Sequence, residues 1–313
     1  MFIAGKLFNN AFIQEKIKRP TNNNSANSHT LITGTSGTGK SYIAKNLYPN
    51  PNLLINFKPD PLYENNNKIG RLINIRLEKE SEKNAFIDAF VYGMDVDIKG
   101  IMASQISPIL RELLDKANNI KEMIIALNHE NTGTIQGGIE KIIKNNLEAI
   151  QKMDEGKIQQ NHIDLSNEIK LLQDFFAEFE LRKLYNYNKI SNNNQIYIEE
   201  MHHLGRKETI LNQMLREYST KGQIVGITQS LSDLDPEIMA NFGHILIGKT
   251  INPRDIAIFR DISDILPKLI PRLPPRVFLN LEEFLEGEKN YLYIWQGLTG
   301  RKTATGFSNF SSQ

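Results

Sequence analysis

The eight residues Gly34-Thr35-Ser36-Gly37-Thr38-Gly39-Lys40-Ser41 fit the pattern GxxxxGK(S/T), and they constrain the fold more than any other stretch of the chain. Such a loop works only where a strand ends and a helix begins. Its glycines let the backbone curl so that N–H groups face phosphate oxygens, and the positive end of the helix favours the anion. Both flanks have the required character. Thr30-Leu31-Ile32-Thr33 reads as a short buried strand, and Ser41 to Leu47 reads as the start of a helix. On this reading Gly34, Thr35, Ser36, Gly37, Thr38, Gly39, Lys40, Ser41 and Tyr42 form a nucleotide-phosphate site. Lys40 reaches the β- and γ-phosphates of ATP, and the Ser41 hydroxyl is placed on Mg2+.

Pro49-Asn50-Pro51-Asn52 breaks the chain after this helix, and Leu53-Leu54-Ile55-Asn56-Phe57 follows as a second strand closed by Lys58-Pro59-Asp60. A strand–helix–strand unit of this kind implies a parallel sheet. Residues 1–28 form a lead-in that ends in the polar loop Thr21 to Ser28. Residues 29–80 are the first part of an α/β ATPase domain, 81–190 a helical insertion, and 191–313 the second part.

The insertion is read from periodicity. Ile106, Ile109, Leu110, Leu113 and Leu114 recur at helical spacing. So do Ile139, Ile142, Ile143, Leu147 and Ile150, and again Leu171, Leu172, Phe175, Phe176 and Phe179. No strand is expected between them. Alternation of strands and helices returns at Gln195-Ile196-Tyr197-Ile198. A helix over Thr209–Glu217, a strand over Gln223–Ile227, a short helix over Pro236–Asn241, a strand over His244–Ile247 and a last strand over Tyr291–Trp295 follow. The fold class is therefore α/β, a P-loop nucleotide-hydrolase fold with a mostly parallel, doubly wound sheet and a large helical insertion, in which ligands bind at the carboxyl ends of the strands; the resemblance given below implies the RecA-like form of it.

Triphosphate hydrolysis also needs an acid to hold Mg2+ and a group to activate water. An apolar strand running into Glu199-Glu200 supplies both. Successive strand residues face opposite sides, so Glu199 is assigned to the Mg2+ shell through water and Glu200 to the attacking water. Thr228-Gln229 ends the next strand, where the Gln229 amide can contact the γ-phosphate or the water. His202 and His203, adjacent in sequence, do not share a helix face and have no further ligands at metal spacing; a solvated or supporting role is expected.

Bulk properties exclude several classes. The 313 residues hold no cysteine, so disulfides and thiolate chemistry are out. A formal net charge of +1 gives no global basic footprint for nucleic acid. No run of about eighteen apolar residues marks a membrane span, and the first twenty residues lack a secretory h-region. A cytoplasmic location is expected.

The segment IYIEEMHHLGRKETILNQMLREYSTKGQIVGITQSLSDLDPEIMANFGHILIGKT resembles the HerA/FtsK superfamily of RecA-like motor ATPases. The shared parts are a strand ending in paired acids and followed by His, a Leu-rich helix, Arg216, Lys221-Gly222, a strand ending in Thr228-Gln229, Ser232-Asp233, and Asn241 before the next strand. SHTLITGTSGTGKS, the strand ending Phe57-Lys58-Pro59-Asp60, and Asn161 to Ser166 are similar to the same family. The resemblance covers most of 29–255. It implies a ring-forming, usually hexameric, ATPase that pumps double-stranded DNA, in some members with a nuclease partner. It also implies a site completed by a neighbouring subunit's arginine, for which Arg216 is the candidate and Arg206, Arg254 and Arg301 are the alternatives. Two departures stand out. The family pattern is Asp-Glu where this chain has Glu199-Glu200, and only 28 residues precede His29 where HerA carries a barrel. Two competing readings share the fold: a regulatory or switch ATPase acting on a protein partner, and a nucleotide-binding scaffold with little turnover.

Overall fold

Short apolar strands become the middle layer of a fold when both of their faces are covered, and the strands of this chain have that character. In the computed structural model, which describes residues 28–48, 51–58, 77, 79–93, 101–117, 119–127, 135–154, 162–166, 168–186, 194–205, 209–217, 222–285 and 292–294, they form one eight-stranded sheet. The strands are β1 (Thr30–Thr33), β2 (Leu53–Asn56), β3 (His162–Asp164), β4 (Asn194–Ile198), β5 (Gly222–Thr228), β6 (His244–Ile247), β7 (Val277–Asn280) and β8 (Leu292–Ile294). Their order is β3-β2-β4-β5-β1-β6-β7-β8. The first six positions pair in parallel, whereas β7 is antiparallel to both of its neighbours.

Side chains alternate between the two faces with the period of a strand. Leu31, Leu53, Ile55, Ile196, Ile198 and Ile224 join one buried cluster. Ile32, Leu54, Tyr197 and Val225 join the other, with Ile43, Ala44 and Leu47 of helix α1 (Lys40–Leu47). The first face is covered by α2 (Glu80–Gly93), α3 (Ile101–Lys116), α4 (Ile120–Ala126), α5 (Ile135–Asp154) and α6 (Lys170–Asn186). Phe86 and Phe90 of α2 meet Phe175 of α6 edge to face, at centroid distances of 5.4 and 6.4 Å. Fully buried Glu178 of α6 accepts from Ile210 N (3.0 Å) at the start of α7 (Ile210–Glu217) and pairs with Arg182 (2.8 Å). Burial pushes the Glu178 carboxyl upward, and the Arg182 charge opposes that.

The three apolar sets at helical spacing fall in α3, α5 and α6. The expectation that 81–190 holds no strand is corrected. β3 lies inside it and adds to the edge of the sheet through β2. Its three residues, His-Ile-Asp, are too few and too polar to show alternation. β7 was not anticipated either, because its four residues follow the proline-rich run 271–275. The lead-in up to Asn27, and Pro59, Asp60, Arg206, Lys207, Lys221, Trp295 and Arg301, lie outside the described residues. No helix among the described residues is long and apolar enough to cross a membrane.

His29, fully buried at the amino end of β1, fixes the opposite edge of the sheet. Its Nδ1 accepts from Ile224 N (3.0 Å), which requires an unprotonated nitrogen. Burial lowers its pKa from 6.5 to about 4, opposed by a hydrogen bond with the Leu215 backbone. The imidazole is thus neutral in the fold, while the unfolded chain takes up a proton below pH 6.5. This residue's stabilisation is complete above pH 6.5, declines as pH falls, and is gone below about pH 4. At about 1.4 kcal/mol per pKa unit the loss is on the order of 3 kcal/mol. Urea midpoints of the wild type should therefore fall more between pH 7 and pH 4.5 than those of His29→Asn, whose amide oxygen can accept the same bond. Parallel pH profiles would show that His29 is not the titrating group.

Candidate functional site

The loop between β1 and α1 is sewn to the end of β6. Gly248 N donates to Thr33 O (2.7 Å), and Thr35 donates to Lys249 O through its N (2.8 Å) and its Oγ1 (3.0 Å). Within the loop Thr38 Oγ1 donates to Thr35 O (2.8 Å). Gly34, Gly37 and Gly39 have φ of 145°, 79° and 93°. Gly34 is required twice over, by that φ and by space, since a Cβ there would stand 3.1 Å from Gly248 Cα and from Thr38 Oγ1. Lys40 Nζ turns back across the loop and donates to Gly34 O (2.7 Å) and Thr35 O (3.0 Å). Burial lowers the Lys40 pKa, and the carboxylates of Glu200 and Glu199 act against that.

Sheet order explains why those carboxylates are felt at Lys40. β5 lies between β1 and β4, with Thr33 opposite Thr228 and Ile198 opposite Gly226. All three carboxyl ends open on one edge, so the phosphate loop, Glu199-Glu200 and Gln229 are gathered there. Tyr197 of β4 adds a tie across the layers. Its hydroxyl donates to Ala44 O (2.6 Å) and to Tyr48 O at the end of α1.

The strand itself stops at Ile198, and the two acids form the turn that follows. Glu199 N still donates to Ile55 O (2.9 Å), which extends the ladder by one bond. Glu200 adopts left-handed backbone, φ 51° and ψ 48°, ahead of the single 3-10 turn Met201–Leu204. The two carboxyls are therefore separated by a turn rather than by strand alternation. Both side chains are buried. Gln229 Nε2 donates to Glu200 Oε1, Lys58 Nζ lies 3.8 Å from the same oxygen, and His202 Nδ1 stands 3.5 Å from Oε2. His202 Nδ1 is also 3.4 Å from Thr228 Oγ1, and the His203 ring stacks on Phe57 at 4.8 Å. The pair of histidines supports the acidic turn. Among the described residues no group of three or more His, Asp or Glu side chains could hold a metal alone.

Three residues at this edge carried no sequence signal as site residues. Lys58 reads as a strand terminator, yet its ammonium neighbours Glu200. Asp255, buried in α9 (Pro253–Ile262), accepts from Ser232 N (2.9 Å) and faces Ser230 Oγ (3.4 Å) and Thr250 Oγ1 (3.5 Å). It holds the segment after Gln229 against the end of β6. Arg276 lies against the phosphate loop, its N donating to Thr38 O (2.9 Å). Arg216 is elsewhere. It occupies the last turn of α7, which leads toward the amino end of β5, and it pairs with Glu237 of α8 (Pro236–Ala240). Arg254 lies in the first turn of α9, next to Asp255 in sequence.

The described donors fit a nucleotide with a magnesium ion. The loop provides a backbone cradle, open at Gly37, where an added Cβ would meet nothing within 4 Å. Glu200 Oε2 is buried and accepts no hydrogen bond among the described residues. Mg2+ is commonly held by one or two protein oxygens together with substrate phosphates; Ser41 at the start of α1 and Glu199 in the acidic turn offer oxygens of that type.

No protein-family model matches the sequence, and no curated protein matches it. Solved structures do. VirB4 of Thermoanaerobacter pseudethanolicus superposes with a TM-score of 0.62 at 14% identity, over 82% of this chain and 88% of that one. The bacterial conjugative coupling protein TrwBdeltaN70, solved in complex with sulphate, gives a TM-score of 0.55 at 14% identity, over 80% and 82%. The genome packaging NTPase B204 from Sulfolobus turreted icosahedral virus 2 covers 82% of this chain and 91% of its own at 14% identity, with a TM-score of 0.42. The first two carry the fold assignment.

Proposed function

Starting from a chain with the fold of HerA/FtsK-type P-loop ATPases, we propose that it hydrolyses ATP with Mg2+ and uses the energy to move double-stranded DNA as a ring-shaped homo-oligomer. The observation that supports this reading most is the gathering of the phosphate loop, the Glu199-Glu200 turn and Gln229 on one edge of the sheet, from segments far apart in sequence. In the proposed chemistry the loop amides and Lys40 hold the β- and γ-phosphates. Ser41 and, through water, Glu199 would hold Mg2+, which when bound would supply charge neutralisation to the phosphate oxygens. Glu200 takes the proton of the attacking water, and Gln229 orients Glu200 and reads the γ-phosphate. Arg216, in the last turn of α7 and paired with Glu237, is assigned to the site of a neighbouring subunit. The resemblance of the sequence to HerA/FtsK motor ATPases is what makes DNA the leading substrate.

The deciding measurement is phosphate release with and without linear duplex DNA, at several salt concentrations. DNA should raise the rate at least several-fold, and the stimulation should fade with salt, because backbone contacts release counterions. A rate indifferent to DNA would move the assignment to a switch ATPase acting on a protein partner, a reading that a net charge of +1 keeps open. Nucleotide binding without turnover would leave a scaffold.

A further inference from the structure

Among the described residues only two other than glycine have positive φ, Glu200 at 51° and Arg276 at 66°. Backbone strain of this kind collects at functional sites. Glu200 already belongs to the acidic turn. Arg276 lies on the other flank of the same phosphate loop, and nothing in the reading so far uses its side chain.

Its positive φ belongs to a turn, and it is the residue type standing there that is unusual. Val277 N donates to Pro274 O (3.2 Å), with Pro275 second and Arg276 third in the turn. Proline second and positive φ third is the type II pattern, whose third position calls for glycine or asparagine. A long branched cation stands there instead. The same residue is fixed to the phosphate loop by its N–H, which donates to Thr38 O (2.9 Å). Its stem covers Gly39, where a Cβ would stand 3.4 Å from Arg276 Cγ. The guanidinium thus starts from the wall of the phosphate cradle. Three other arginines of the fold pair with carboxylates, Arg111 with Glu80, Arg182 with Glu178 and Asp88, and Arg216 with Glu237; of the remaining described arginines, Arg254, Arg260, Arg272 and Arg276, only Arg276 has its backbone N–H on the phosphate loop. Arg276 is exposed, and no acceptor among the described residues engages it.

We propose that Arg276 is a nucleotide-contacting residue acting in cis, its guanidinium pairing with a phosphate oxygen of the nucleotide held on its own loop. This rests on the nucleotide-binding reading above, and it differs from the neighbour's arginine assigned there. An arginine suits the position because its planar fork pairs two oxygens at once and stays charged at every working pH. Fixing the backbone on Thr38 places that fork without a flexible approach.

The test compares ATP and ADP affinity, by titration calorimetry, for the wild type, Arg276→Gly and Arg276→Lys, with thermal midpoints measured alongside. Glycine relieves the positive φ, so Arg276→Gly should melt no lower than the wild type and yet bind both nucleotides at least about tenfold more weakly. Arg276→Lys should fall between them, and the salt dependence of binding should be shallower in Arg276→Gly. Wild-type affinity in Arg276→Gly would overturn this inference and leave the nucleotide site standing. A loss of affinity that follows a lowered melting point, with unchanged salt dependence, would also overturn it, by making Arg276 a turn residue only. A wild type that binds neither nucleotide would overturn the nucleotide site and this inference together.

Discussion

Lys40→Ala should leave a folded protein that no longer turns over ATP. The side chain contributes little to the core. Helix α1 packs through Ile43, Ala44 and Leu47, while Lys40 Nζ is spent on the loop carbonyls Gly34 O and Thr35 O. On the proposed reading, a triphosphate's β- and γ-oxygens would replace these carbonyls as partners of the ammonium. Removing one such preorganised donor costs roughly 10²–10³ in rate in other enzymes, and Lys40 also carries a full charge. Phosphate release at saturating ATP should therefore drop at least about a hundredfold, with a melting point close to the wild type. The loss must be read beside Lys40→Arg, which keeps the charge but replaces the compact ammonium with a bulkier planar guanidinium. A Lys40→Ala protein with near wild-type turnover would remove the loop from the chemistry altogether.

The phosphate loop could be recognised in the chain because all of its determinants are local: a strand, a set of glycines, a lysine and a helix within one short run. The acidic turn was found for a similar reason, as a strand that runs out in two carboxylates. What joins them could not be read, since it depends on β5 slotting between β1 and β4, an order that no local pattern encodes. The contacts that surround Glu200 belong to the same category. Lys58, Gln229 and His202 come from three separate strand ends, and they meet only because those strands are parallel neighbours in register. Arg276 is the extreme case. Its partner Thr38 belongs to the first strand–helix unit, and its own strand, β7, was too short and too close to prolines to be seen. The missed strand β3 shows the complementary limit. A half-exposed edge strand of three residues has no hydrophobic signature, and its place is set by the ladder it joins.

Glu200→Gln is expected to separate binding from turnover. The substitution keeps volume and shape, and a glutamine can satisfy the same neighbours. Its amide oxygen can accept from Gln229 Nε2, as Glu200 Oε1 does now, and its NH2 can face His202. The left-handed backbone at this position is unchanged by the swap. Removing the carboxylate takes away the only change that matters for the proposed role, the ability to accept a proton from water. Positioned general bases contribute roughly 10²–10⁴ in rate, so steady-state hydrolysis should fall by about that factor, while ATP affinity, with one negative charge fewer beside the triphosphate, is retained or slightly improved. Nucleotide should accumulate on the variant as uncleaved ATP, which can be read by quenching the mixture and resolving ATP from ADP. The His202–Thr228 contact supplies an internal control: His202→Ala loosens the surroundings of Glu200 without removing its carboxylate, so it should slow turnover far less. If Glu200→Gln hydrolyses ATP at the wild-type rate, the proton acceptor is another group, and buried Glu199, which sits in the same turn, becomes the first alternative to substitute.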